Sequence, residues 1–189
     1  MPLDDQQVMQ LVAAGRLELF DELVQRHRST MLRAAVSKLH EPADAEDAVQ
    51  EAFLAAFRSR HTFDARYSFR GWLWTILLNV CRRQPRRAAS HVSLQDIPAV
   101  AEPATFETPL STLLSQERSG LLHQMLEQLP EVQADALRLR FFGELKFEEI
   151  AQAMTCSLNA AKDRVRKGLE RLAVMARRNL NSCQEGEPS

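Results

Sequence analysis

Four prolines limit what this chain can fold into. Pro85, Pro98, Pro103 and Pro109 interrupt a stretch with no sustained apolar period. Proline lacks a backbone N–H and biases the residue before it away from the helix, so no regular element runs through such a segment. A structureless stretch of that length is uncommon inside a compact domain. The chain therefore reads as two small modules, 1–87 and 113–178, joined by an acidic linker over 88–112 that orders on a partner, with a disordered tail over 179–189.

Both modules read as helical. Leu17, Phe20, Leu23 and Val24 begin an apolar face that continues through Met31, Leu32, Ala35, Val36 and Leu39 until Pro42. A second helix starts near Asp44, whose carboxylate complements the free N–H groups, and carries Ala45, Ala48, Val49, Ala52, Phe53, Ala56 and Phe57. Residues His61–Tyr67 read as a loop. Ser68 is the expected N-cap of a third helix with Phe69, Trp72, Leu73, Ile76, Leu77 and Val80, ending before Pro85. Beyond the linker, a helix is expected near Leu110–Leu129, another from Pro130 to Gly143, then Phe147–Met154 and Leu158–Met175. The fold class expected is all-α, in two helical bundles. Apolar residues make up 45% of the chain, enough for two cores, and no window approaches the roughly 20 apolar residues needed to span a bilayer. The polar start MPLDDQQ is unlike a signal peptide, and Cys81, Cys156 and Cys183 form no CxxC pair. A reduced, cytoplasmic, soluble protein with no membrane insertion is the expectation.

The net charge of −1 conceals blocks. Residues 58–87 hold eight Arg and one acid, and residues 156–178 hold seven Lys or Arg and two acids; the segments before and between them are acidic. Two separate basic blocks can meet a polyanion at two places while the acidic segments meet something else.

The last two helices have helix-turn-helix spacing, with Thr155-Cys156-Ser157 as the turn and Ala151 small enough for a close crossing. Ser157 caps the second helix. Its early positions Asn159, Ala160, Lys162, Asp163, Arg164, Arg166 and Lys167 are the duplex-reading candidates, since Asn pairs with adenine edges and Arg with guanine or phosphate. Asp163 needs a neighbouring cation to sit near phosphates, and Thr155 stands where the turn favours Gly.

The first basic block interleaves rings and cations, the combination that holds single-stranded nucleic acid. Phe57, Phe69 and Trp72 read as core, whereas Phe63, Tyr67 and Trp74 are the candidates for exposed rings. Arg66, Arg70, Arg82 and Arg83 are the candidate backbone contacts, and Asn79 could supply a polar edge to an unpaired base. On the preceding helix, Asp44, Asp47, Gln50, Glu51 and Arg58 project opposite the alanine stripe and read as a solvated helix start or a protein-docking face. No Glu-x-x-His pair, His cluster, nucleophile signature or Gly-rich phosphate loop occurs, so no catalysis, metal or cofactor is expected.

Taken together, DAEDAVQEAFLAAF (44–57), FDARYSFRGWLWTILLNVCRR (63–83) and LPEVQADALRLRFFGELKFEEIAQAMTCSLNAAKDRVRKGLERL (129–172) resemble the bacterial RNA polymerase sigma factors of the extracytoplasmic-function group. That resemblance implies that the 44–57 helix docks on core RNA polymerase through Asp47, Gln50 and Glu51. It implies that loop 61–68 and the following helix melt and read the minus-ten element as a single strand, with Asn79 at a flipped-base pocket. It implies that the 158–172 helix reads the minus-thirty-five element of promoter DNA as duplex, and that an anti-sigma protein is a possible partner. Gly71, Trp74, Ala161 and Asp163 depart from the commoner residues of the family. A stand-alone helix-turn-helix regulator, a sequestering interaction protein and an enzyme are the rival readings; the regulator would bind duplex without polymerase.

Overall fold

The structure, a computed structural model, describes residues 3–84 and 120–184, with side chains as far as 179. The described residues are helical with no strand. The first group is α1 (Asp5–Ala13), a 3-10 turn (Leu17–Leu19), α2 (Phe20–Leu39), α3 (Pro42–Arg58), a second 3-10 turn (Arg60–Thr62) and α4 (Phe69–Arg83). The second is α5 (120–127), α6 (Glu131–Phe141), α7 (Phe147–Ala153) and α8 (Leu158–Gln184). The linker expected over 88–112 lies outside the described residues, as does the first half of the helix expected over 110–129. Residues 179–184, expected as part of a disordered tail, continue α8.

Local signals account for the helix ends. Asp4 and Gln7 form a reciprocal capping box at α1, with Asp4 Oδ1 accepting from Gln7 N at 2.8 Å. The α2 helix stops where His40 turns left-handed at φ 67°, and Pro42 opens α3 at a position where no N–H is needed. Ser68 caps α4 by accepting from Gly71 N, as expected. Pro130 precedes α6, and Phe142 rather than Gly143 is its C-cap.

The alanine stripe of α3 lets that helix lie close on α2. Ala45, Ala48, Ala52 and Ala56 are fully buried, and Phe20 meets Phe53 and Phe57 edge-on at 6.4 and 5.2 Å. In the second group Ala134, Leu137, Ile150, Ala161 and Val165 form the core. Gly168 lies where α8 crosses α6, and a Cβ there would stand 2.9 Å from Leu137 Cδ1, so that side chain would have to shift. The two groups are not held apart: α4 packs on α7, and the end of α2 meets α6.

Candidate nucleic-acid and protein interfaces

The acidic face of α3 is as the sequence implied. Asp47, Gln50 and Glu51 are exposed, opposite the buried alanines. Beside them runs a groove of about 530 Å³ between α2 and α3, floored by Phe20, Val24, Phe53 and Phe57 and rimmed by Asp21, Glu46 and Gln50. Leu54, not singled out by sequence reasoning, is 46% exposed at its edge. Its signal was available: it follows Gln50 at i+4 on the polar face, where an apolar residue has no core to serve.

The helix-turn-helix is also formed. Thr155 adopts φ 49°, the left-handed conformation the turn demands, and Cys156 N donates to Ala151 O at 2.9 Å. Ser157 Oγ caps α8 by accepting from Ala160 N at 3.2 Å. Ser157, Asn159, Lys162, Arg166 and Lys167 are exposed; Ala160, Asp163 and Arg164 are half-buried. Asp163 is neutralised by Arg166 at 2.6 Å and Lys167 at 2.7 Å, and these hold its carboxyl below the usual range, Lys167 contributing most. Arg164 leans back toward Met154 Sδ at 3.9 Å.

The strand-reading candidates divide. Tyr67 is 57% exposed, and Arg66, Asn79, Arg82 and Arg83 are exposed. Arg66 is engaged by Asp64 at 2.6 Å. Phe63, expected as an exposed ring, is partly buried against Phe69 and Trp72 at centroid distances of 5.9 and 5.3 Å. Trp74, also expected outside, is 1% exposed. It lies under Gly143, where a Cβ would stand 2.9 Å from Trp74 Cζ2. Arg70 donates to Gly143 O. The reasons differ: Phe63 packs on rings of its own helical group, whereas Trp74 is covered by the second helical group. Phe69 is core as expected, while Trp72 and Phe57 are partly buried at its margin.

The cover carries charge. Lys38 Nζ lies 2.7 Å from Asp135 Oδ1 and 2.9 Å from Glu131 Oε1. Arg138 donates to Ser37 O at 2.7 Å and Ser37 Oγ at 3.0 Å, and to Asp135 at 3.3 Å. Arg82 reaches Asp135 Oδ2 at 3.4 Å. Asp135 is completely buried, and burial pushes the Arg138 guanidinium down from its ordinary value, opposed by Asp135. Removing one partner from such a cluster leaves an uncompensated buried charge, at a cost of about 3–5 kcal/mol where the cover stays closed. Nearby, Glu149 accepts from Ser68 Oγ at 2.6 Å and from Lys146 N at 2.8 Å, and Gln152 donates to Ser68 O at 3.2 Å. A Cβ at Gly71 would meet Gln152 Oε1 at 2.6 Å, so the Gln152 side chain would have to shift. Sequence reasoning missed this cluster. The signal was two charged residues, Asp135 and Arg138, inside the otherwise apolar run ADALRL.

Comparison with known proteins decides what these faces belong to. A family model described as Sigma-70 region 2 matches residues 23–91, and one described as Sigma-70, region 4 matches residues 119–172. The RNA polymerase sigma-H factor of Pseudomonas aeruginosa is 31% identical over 176 residues, spanning 88% of this chain and 90% of that protein. The chain belongs to the extracytoplasmic-function sigma factors. The ECF RNA polymerase sigma-E factor of Escherichia coli K12 is 28% identical over 176 residues, covering 89% of this chain and 92% of that protein. CnrH, solved in complex with the cytosolic domain of CnrY, has the same fold at TM-score 0.70 and 24% identity, covering 91% of this sigma factor and 96% of that chain. The sigma factor RpoE of Bartonella quintana, solved with the anti-sigma factor NepR, follows at TM-score 0.59 and 23% identity, covering 84% and 96%. This sigma factor directs promoter-specific transcription by RNA polymerase, a regulatory rather than catalytic role. No described helix is long and apolar enough to cross a membrane.

Proposed function

We propose that each face of this sigma factor has one task. The outer face of α3, through Asp47, Gln50 and Glu51, docks on core RNA polymerase, with Leu54 and the adjoining apolar groove supplying the desolvated centre that such interfaces need. Loop 61–68 and α4 hold the minus-ten element as an opened strand: the exposed Arg66, Arg82 and Arg83 follow phosphates, Tyr67 offers a ring face, and Asn79 reads a base edge. The start of α8 enters the major groove of the minus-thirty-five element. Asn159, Lys162 and Arg164 lie toward base edges, Ser157, Ala160 and Asp163 shape the approach, and Arg166 and Lys167 attract phosphate. An anti-sigma protein is the further partner we propose, as CnrH and RpoE were each solved with a second protein.

The observation that carries the reading is the pairing of an open acidic face on α3 with two separate cationic surfaces on α4 and α8. A stand-alone duplex-binding regulator has use for α8 but none for the other two. The test is reconstitution of the purified chain with core polymerase on a library of promoters. Enrichment of two spaced elements, and initiation downstream of them, supports the assignment. Selection of one duplex element by the chain alone, with no gain from polymerase, would overturn it.

A further inference from the structure

Two consecutive side chains of α1 reach different parts of the first helical group. Asp5 turns to α2, where it accepts from His27 Nε2 at 2.7 Å and from Arg26 Nη1 at 2.8 Å. Gln6 turns to the loop before α4, where its Nε2 donates to the Ala65 carbonyl. We infer that α1 is a brace for this loop, with Gln6 the positioning residue for Arg66 and Tyr67. The inference rests on the strand-reading role proposed for loop 61–68.

The loop has order of its own, but that order is local. Asp64 Oδ1 accepts from Arg66 N at 3.0 Å, and Tyr67 N donates to Asp64 O at 3.0 Å, which closes a turn from Asp64 to Tyr67. A turn fixes its own shape and not its place on the body. Two anchors set that place. On one side Phe63 packs on Phe69 and Trp72. On the other Gln6 holds Ala65, the residue just before the exposed Arg66 and Tyr67.

The brace is itself firmly seated. Val8, Met9 and Val12 are fully buried, and α1 packs on α4 and on the 3-10 turn Arg60–Thr62. His27, clamped by Asp5, lays its ring 5.7 Å from that of Phe69, against which Phe63 packs. Both anchors of the loop therefore trace back to α1, one directly through Gln6 and the other through Asp5, His27 and Phe69. Side chains placed before a strand arrives lose less freedom on binding it, so the brace raises affinity without touching nucleic acid.

The experiment uses the full-length chain assembled with core polymerase. Gln6→Met and Gln6→Glu both remove the donor, the second at the native side-chain shape, and circular dichroism verifies helix content. Each holoenzyme is titrated with a labelled single-stranded minus-ten oligonucleotide and, separately, with minus-thirty-five duplex. The expected result is a loss of strand affinity of roughly threefold to tenfold in both variants, with duplex affinity unchanged. Hydrogen exchange over residues 61–68 should quicken in both. In a background carrying Arg66→Ala with Tyr67→Ala, Gln6→Met should change strand affinity by less than about twofold, because the side chains it positions are gone. Unchanged strand affinity at intact helix content overturns the brace. So does an equal loss in the background, or a parallel loss of duplex affinity, either of which marks a general destabilisation. Full strand affinity in the background alone removes the loop from the strand reader and overturns the brace with it; the Gln6 outcomes overturn the brace while the reader stands.

Discussion

Helices α4 and α8 both carry Arg on an apolar framework, yet they present it in opposite ways. On α8 the buried positions are Ala161, Val165 and Gly168, a narrow stripe, and Lys162, Arg166 and Lys167 remain in water. Their partners are local: Arg166 meets Asp163 and Glu170 on its own helix. On α4 the buried set is Phe69, Leu73, Trp74, Leu77, Leu78, Val80 and Cys81, which wraps far around the helix. A helix apolar on that many sides belongs between neighbours. Burial of that surface also pushes the Cys81 thiol up to about 11. Two of the α4 cations consequently reach the other helical group, Arg70 to Gly143 O and Arg82 to Asp135, while Arg83 stays exposed. The lesson is that the width of the apolar stripe, more than the number of cations, sets whether a basic helix is ready for nucleic acid or must first be uncovered.

The comparison breaks most completely if α8 loses the framework that presents it. Ile150, fully buried in α7, is the residue whose truncation does this. Ile150→Ala should cost about 2–5 kcal/mol of stability in thermal or urea unfolding, and minus-thirty-five-dependent transcription should fall with it. A variant of unchanged stability would mean that α7 is not packed as described. Next in size is the docking face, which lies outside both basic helices. Asp47→Ala combined with Gln50→Ala should weaken binding to core polymerase by about tenfold to a hundredfold and leave helix content intact. Unchanged capture of polymerase would remove α3 from the interface.

A smaller effect separates the two basic helices directly. Lys167→Ala should lower the salt dependence of duplex binding by roughly one unit of slope in the free chain, because the α8 cations are already exposed. Arg82→Ala should have no such effect on duplex binding. Equal slopes for both variants would erase the distinction drawn between open and covered surfaces. The smallest effect concerns the anchoring of α1. Asp5 accepts from His27 at 2.7 Å and from Arg26 at 2.8 Å; His27 contributes most to lowering its pKa from 3.8 to about 2, against the opposing effect of burial. A depressed carboxyl stabilises the fold above its unfolded pKa and loses that contribution as pH falls through the folded value. Asp5→Asn should therefore lose stability at pH 5 and show a flatter acid-unfolding curve between pH 4 and pH 2. Identical acid curves would show that the contact adds nothing.

Much of this was legible in the sequence because it is local. Pro42, Ser68 and Pro130 mark helix starts, Thr155 marks the left-handed turn, and the alanine spacing of α3 sets its inner and outer faces. The first helix was also legible and went unread: Asp4 with Gln7 is a capping pair, and Val8, Met9 and Val12 share one face. The fate of Trp74 was not legible. Its burial depends on Gly143, 69 positions away, and goes with ion pairs between α2 and α6 that no periodicity announces. Gly71 costs its helix about 1 kcal/mol relative to Ala, and only the folded structure shows Gln152 seated against it.

The most direct test of the account is permanganate footprinting of unpaired thymines on a selected promoter, with the chain alone and then with core polymerase added. With polymerase, the upstream element should be protected as duplex while thymines of the downstream element become reactive; the chain alone should open nothing. Strand opening by the free chain, or protection without opening when polymerase is present, would contradict it.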